Sequence, residues 1–192
     1  MPSSVIILAA GNGQRFQSAA GQGADKLMAP CRGLDSVIRP VLEQTLRNLD
    51  SQVVRRILVT RSGKQGIIDL ATAYGCEIVL LDSAGMGDSL AAGVAASVDA
   101  SGWLICLGDM PFIQAATYGA MLGAMDEQRI CVPAGPDGYG HPVAFGRRFA
   151  KQLLALQGDQ GARRLFEPGS LMEIPTDDPG IYRDVDLPDD LP

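Results

Sequence analysis

The chain has 192 residues, 46% hydrophobic and 20% charged, which suits one folded domain and excludes global disorder. Its formal net charge of -6 argues against nucleic-acid or membrane-surface binding, both of which need a basic face. One anionic small molecule in a locally positive pocket is still compatible with that balance. Cys31, Cys76, Cys106 and Cys131 stand far apart with no Cys-x-x-Cys pair, so neither a zinc site nor a disulfide framework is expected. The apolar run at 5–10 is too short for a signal peptide or a membrane span, and a cytoplasmic protein is expected.

That first run, Val5-Ile6-Ile7-Leu8-Ala9-Ala10, reads as a strand that breaks into Gly11-Asn12-Gly13, with Arg15 and Lys26 beyond. Glycines let backbone N–H groups approach a phosphate with no Cβ in the way. Arg15 supplies a planar, permanently charged fork and Lys26 a compact point charge. The stretch therefore reads as a polyphosphate cradle at the carboxyl end of the first strand. An ordinary strand-to-loop turn is the alternative.

A helix is expected over 36–49, where Ile38, Val41, Leu42, Thr45, Leu46 and Leu49 recur on one face. Ser36 can cap it, and Pro40 is tolerated only in its first turn. Strands at 56–60, 77–81 and 103–107 alternate with helices at 66–74 and 88–98. That alternation signals a largely parallel sheet covered on both faces. Such sheets place ligands beyond the carboxyl ends of their strands. The loops after Ala10, Leu81 and Leu107 should then share one rim.

A helix at 115–125 and a strand at 130–133 follow, then turn-rich residues at 135–140 and a short strand at 143–145 running the other way. Helical pieces are expected at 149–156 and 160–166, and strands at 171–174 and 182–185. There is no internal repeat or domain linker.

Five places carry chemistry. In Leu107-Gly108-Asp109-Met110-Pro111 a carboxylate ends an apolar strand, as a magnesium ion facing bound phosphates requires; a helix N-cap is the alternative. Gly85-Met86-Gly87-Asp88-Ser89-Leu90 pairs glycines with capping residues ahead of a helix. His141 is the sole histidine, a general acid or base or a structural side chain. Arg163 and Arg164 are neighbours on a helical piece, so only one of them faces a ligand. Asp184 and Asp186 share one side of the last strand, and either suits a second metal ligand.

In chain order, these pieces read Leu-Ala-Ala-Gly-x-Gly-x-Arg-Phe at 8–16, Lys26, Gly-Met-x-x-Ser-Leu at 85–90 and Gly-Asp-Met-Pro at 108–111. Gly-His-Pro-Val-x-Phe at 140–145, Gly-Asp-x-Gly-Ala-Arg at 158–163 and Asp-x-Asp-x-Pro-x-Asp-Leu at 184–191 complete the order. The whole resembles the molybdenum cofactor nucleotidyltransferases, most of all the cytidylyltransferase branch acting on molybdopterin. The resemblance implies an α/β three-layer sandwich, a glycosyltransferase-A-like nucleotidyltransferase fold with a mostly parallel sheet. It implies one domain over 1–192, with the nucleotide held by about 1–110 and the acceptor by about 111–192.

By the same resemblance, Leu8, Ala9, Ala10, Gly11, Asn12 and Gly13 contact the nucleotide, Arg15 and Lys26 its phosphates, and Gly85, Met86, Ser89 and Leu90 its base side. Asp109 and Asp184 hold Mg2+, while His141 and Arg163 fall in the acceptor half. Arg15, Lys26 and Asp109 become the catalytic set. The implied substrates are CTP, with GTP as the alternative, and a molybdopterin-type acceptor. A molybdenum hydroxylase is the implied recipient. Two departures stand out: Lys26 follows Phe16 at a stretched spacing, and Leu187 replaces a usual Thr.

Rival readings are a guanylyl- or sugar-phosphate nucleotidylyltransferase, and a non-catalytic protein that binds and delivers molybdopterin cofactor. A dinucleotide-binding dehydrogenase is set aside, because Gly11-x-Gly13 lacks a third glycine at the required place.

Overall fold

The first apolar run becomes the middle of a sheet, and its alternation decides which helices cover which face. The computed structural model describes residues 2–49, 55–82, 85–167 and 169–192. In chain order the first half comprises β1 (Ser4–Leu8), α1 (Gln14–Ala20), β2 (Pro30–Arg32), β3 (Ile38–Pro40), α2 (Val41–Asn48), β4 (Arg56–Thr60), α3 (Gln65–Ala73) and β5 (Glu77–Leu80). The second half comprises α4 (Met86–Ala95), β6 (Gly102–Leu107), α5 (Ala115–Gly123), β7 (Ile130–Gly135), β8 (Gly138–Tyr139), β9 (Val143–Gly146), α6 (Ala150–Leu154) and β10 (Leu171–Pro175).

The main sheet runs β10-β7-β9-β6-β1-β4-β5, with β8 folded back on β7. β1 pairs in parallel with β4 and β6, and β4 with β5. β9 lies antiparallel between β6 and β7, as expected for 143–145. β10 returns parallel to β7. The β7–β8 hairpin accounts for the turn-rich 135–140 segment.

Because strand side chains alternate, Val5 and Ile7 of β1 face one way and Ile6 the other. Val5 and Ile7 join Leu42 and Leu46 of α2, Ile67 of α3, and Tyr118 and Met121 of α5. Ile6 joins Leu90 and Val94 of α4, Leu153 of α6 and Phe149. The result is a three-layer α/β/α sandwich. Each fully buried aliphatic side chain contributes roughly 1.5–3 kcal/mol. Gly93 lets α4 approach β1, since a Cβ there would sit 2.6 Å from Ile6 Cγ2.

Three expected elements differ. The helix over 36–49 begins only at Val41, because Ile38–Pro40 pairs antiparallel with Pro30–Arg32. Ser36 is no cap; it turns the hairpin between these strands at φ 63°. The helix over 88–98 starts earlier, at Met86, which places Asp88 and Ser89 in its first turn rather than at its cap. No strand forms over 182–185: a 3₁₀ turn at Pro179–Tyr182 takes the first residue, and Val185 N donates instead to the Asp109 carbonyl at 2.9 Å.

Candidate active site

Parallel β1, β4, β5 and β6 bring their carboxyl ends to one rim, so the loops after Ala10, Leu81 and Leu107 are neighbours as expected. Residues 83–84 of the middle loop lie outside the described residues. Two cavities open there. One, of about 340 Å³, is lined by the opening loop (Leu8 to Gly11), by Gly85, Met86 and Ser89, and by Lys26, Asp109, Asp184 and Asp186. The other, of about 400 Å³, is lined by Leu90, Ile105, Phe145 and Phe166 together with His141 and Arg163. Leu8, Met86, Leu107 and Asp184 border both. Each has the size of a small-molecule site.

Asp109 is fixed through its backbone. Gly108 N donates to Leu8 O at 2.9 Å, Thr45 Oγ1 to Gly108 O at 3.0 Å, and Val185 N to Asp109 O at 2.9 Å. The N-cap alternative falls away, since the next helix, α5, begins six residues on with Gln114 at its cap. Asp109 Oδ2 accepts a hydrogen bond from Lys26 Nζ at 2.6 Å, while its Oδ1 is buried without a partner.

The stretched spacing to Lys26 has a structural cause. The added residues form α1 and a return loop, and the chain comes back so that the Lys26 stem packs on the opening loop. Gly13 takes the left-handed conformation at φ 59°, and a Cβ there would lie 3.7 Å from Lys26 Cγ. Asp25 caps the 3₁₀ turn Lys26–Met28 by accepting from Leu27 N at 3.0 Å, and pairs with Lys64 Nζ at 2.8 Å.

Lys26 Nζ also donates to Asp186 Oδ1 at 3.1 Å, and Arg15 to Asp186 Oδ2 at 2.9 Å. Arg15 and Asn12 are exposed at the rim and do not line the cavity. Burial is the largest single influence and would lower the Lys26 pKa, but the charges and hydrogen bonds of Asp109 and Asp186 together outweigh it and hold the ammonium above its usual range. For Asp186, hydrogen bonds from Lys26 and the Lys26 and Arg15 charges outweigh burial and hold the carboxyl below the usual range. Asp184 moves the other way, pushed up by burial and by the charges of Asp109 and Asp186.

Among the described residues, no three His, Cys, Asp or Glu side chains converge as a ready-made metal site. Mg²⁺ does not require that, since it takes one or two carboxylates and completes its shell with water and phosphate oxygens. The unpartnered Asp109 Oδ1, with Asp184 on the same cavity wall, suits such a cation.

In the second cavity, His141 is held by its backbone, its N–H donating to Ile181 O at 2.9 Å. Its Nδ1 is buried without a partner. Burial pushes the imidazole below its usual pKa, and Arg163 adds to that while Asp109 opposes it. Arg163 lines this cavity, whereas Arg164 turns to Gln160.

A junction that the sequence does not reveal joins the two halves. Gly87 N donates to Gly158 O at 2.7 Å, and a Cβ on Gly85 would overlap that same carbonyl. The Gly85-Met86-Gly87 and Gly158-Asp159-Gln160 motifs therefore dock backbone to backbone. Asp159 thereby lines the charged cavity. Asp190, the last aspartate of the 184–191 motif, has a local role: its Oδ2 accepts from Asp186 N at 2.9 Å and Leu187 N at 2.7 Å, locking the segment that carries Asp184 and Asp186.

A mostly parallel sheet between two helical layers, with a glycine loop, cations and carboxylates on its rim, defines an α/β nucleotidyltransferase fold. The MobA-like NTP transferase domain matches residues 5–174, and the chain belongs to that family. The bifunctional protein GlmU of Sphingopyxis alaskensis is 30% identical over 161 residues, 79% of this chain and 34% of that protein. The purine catabolism protein PucB of Bacillus subtilis is 30% identical over 111 residues, 55% of this chain and 54% of that one. The chain thus spans between about a third and a half of the curated relatives it matches. Among solved structures, Rv0371c of Mycobacterium tuberculosis superimposes with a TM-score of 0.81 at 27% identity, covering 99% of this chain and 95% of that one. Rv0371c has also been solved in complex with manganese. Among the described residues no helix is long and apolar enough to cross a membrane.

Proposed function

We propose that the chain is a Mg²⁺-dependent nucleotidyltransferase that moves CMP from CTP onto the phosphate of a molybdopterin-type acceptor, releasing pyrophosphate. The observation that carries this reading is the meeting of two cavities at Asp184, one lined by paired charges and the other largely apolar. The nucleotide occupies the charged cavity, with Leu8 to Gly13 along its phosphates and Gly85, Met86 and Ser89 toward its base, whereas Leu90, grouped with them on the sequence, lines the other cavity. The acceptor occupies the apolar cavity, against His141 and Arg163. The chain then divides into a nucleotide part over about 1–110 and an acceptor part over about 111–192.

Asp109 and Asp184 hold the magnesium, which supplies charge neutralisation at the phosphates. Lys26 and Arg15 are held at the same place by carboxylates and transfer to phosphate oxygens when a triphosphate enters. An acceptor phosphate, with a second pKa of about 6, is largely ionised at neutral pH and is itself the nucleophile. Its oxygen bonds to the α-phosphorus as the bond to the pyrophosphate oxygen breaks, and pyrophosphate leaves with that electron pair. No protein nucleophile is needed, and catalysis consists of alignment and charge stabilisation. The rim fits this, offering cations, carboxylates and backbone amides. The product passes to a molybdenum hydroxylase, and the work is cytoplasmic.

A second reading has one observation in its favour, the 30% identity to GlmU. It keeps the chemistry and replaces the acceptor by a sugar phosphate. GTP in place of CTP is the corresponding alternative for the donor. Mass spectrometry of products from four triphosphates, each offered with molybdopterin or a hexose 1-phosphate and Mg²⁺, decides among these. A CMP–molybdopterin adduct with equimolar pyrophosphate is expected. Binding without pyrophosphate release would instead mark a delivery protein.

A further inference from the structure

The opening loop has its carbonyls held from behind and its amides left open. On the β4 side Thr60 Oγ1 donates to Ala9 O at 3.1 Å and Arg61 Nε to Ala10 O at 2.8 Å, whereas Leu8 O accepts from Gly108 N at 2.9 Å on the opposite, β6 side. Among the described residues, the N–H groups of Ala10, Gly11, Asn12 and Gly13 find no acceptor. The C=O of one residue and the N–H of the next belong to one rigid trans peptide plane and point in opposite directions. Pinning Ala9 O and Ala10 O toward β4 therefore aims the amides of Ala10 and Gly11 the other way. Ala10 and Gly11 line the charged cavity.

The two pinning residues are themselves braced. Thr60 is fully buried at the end of β4, and Leu81 N donates to its carbonyl at 2.8 Å. Ser62 donates to Asp82 through its amide at 3.2 Å and its hydroxyl at 2.7 Å. The strand end that carries Arg61 is thereby tied to the loop that leads toward Gly85.

We propose that Thr60 and Arg61 are positioning residues of the triphosphate site. Their side chains hold the 9–10 and 10–11 peptide planes so that two backbone amides aim at phosphate oxygens. This rests on the nucleotide-loop assignment proposed above. Arg61 also contributes positive charge, and the variants must separate that from its hydrogen bond. Gln is suited to this, because its Nε2 stands as many bonds from Cα as the Nε of Arg and carries no charge.

The test is calorimetric titration of the full chain with magnesium tripolyphosphate, which has the phosphates without a base, alongside melting of the unliganded protein. Arg61→Ala should weaken binding about tenfold, the usual size of a lost charge-assisted hydrogen bond. Arg61→Gln should stay within about threefold of the parent on the same scale. Thr60→Val should weaken binding and Thr60→Ser should not. If Thr60→Val fails to fold, the Arg61 pair decides alone. Parent-like binding by Arg61→Ala, or Arg61→Gln as weak as Arg61→Ala, overturns the proposal. A parent that binds no tripolyphosphate overturns it together with the nucleotide-loop assignment. The expected variant pattern in a chain that transfers no nucleotide supports this proposal and overturns only the transferase reading.

Discussion

The two cavities are built on opposite principles. In the charged cavity Lys26 lies between Asp109 and Asp186, and Arg15 reaches Asp186 from the rim outside it. The other cavity is lined by Leu90, Ile105, Phe145 and Phe166, with Arg163 and a buried, unpartnered imidazole nitrogen of His141. Preorganised charges stabilise a developing phosphate charge without reorganising at the moment of reaction. A mostly apolar wall, with Arg163 and Asp184 at its edge, instead suits the body of a small molecule. Charge is concentrated in one cavity, and Asp184 marks the border with the other.

The strongest break of this contrast is Asp109→Ala. It removes a half-buried carboxylate that lines the charged cavity, and turnover should fall by about a thousandfold. Thermal melting should change little, because Asp109 is anchored through its backbone. Near-parent pyrophosphate release by this variant would sink the metal assignment. Lys26→Ala comes next, with kcat/KM lowered by about a hundredfold. Its acceptor KM should be unchanged in steady-state kinetics; a matched rise there would move Lys26 out of the triphosphate site.

Gly85→Ala attacks the seam rather than either cavity. Its Cβ would overlap the Gly158 carbonyl, and such overpacking costs about 1–3 kcal/mol. Urea melts should show that loss, and both substrates should bind more weakly. A parent-like midpoint would mean the seam yields freely.

His141 sharpens the comparison through pH. In the folded chain burial holds its pKa below 6.5, so the unfolded chain takes up the proton first as pH falls. Its stabilising contribution is complete above the unfolded pKa and is lost as pH falls through the folded one. The slope is at most about 1.4 kcal/mol per pH unit. Urea melts between pH 7.5 and 5 should show less of this acid loss in His141→Asn; parallel curves would mean that the imidazole is solvated. Arg163→Ala should raise the acceptor KM by about tenfold, one lost charge-assisted contact, and Arg164→Ala should not. Equal effects would erase the distinction between the arginines.

Legibility followed the range of the forces involved. β1, β4 and β6 were readable because burial on both faces leaves near-continuous apolar runs. The rim followed from parallel topology, and Asp109 from the end of such a run. What could not be read depends on distant backbone. Ile38 carries the spacing of a helix, yet its partners are residues 30–32 across a hairpin. Asp88 and Ser89 look like caps, but Gly85 and Gly87 are set by a carbonyl at Gly158. Val185 has strand chemistry, but its amide goes to Asp109 rather than to a ladder. Asp184 and Asp186 line the same cavity without the strand expected to align them, and the cations distinguish them: Asp186 has both Lys26 and Arg15, while Asp184 sits between the cavities.

The central claim is that a metal at Asp109 and Asp184 sits where the two cavities meet. Crystals of the chain grown with CTP and Mn²⁺ test it through the anomalous scattering of manganese. The expected result is one peak within coordination distance of carboxylate oxygens of both Asp109 and Asp184, with phosphate oxygens completing its shell and Lys26 Nζ displaced from Asp109. A peak held by Asp186 without Asp184, or manganese bound away from Asp109, would contradict the account.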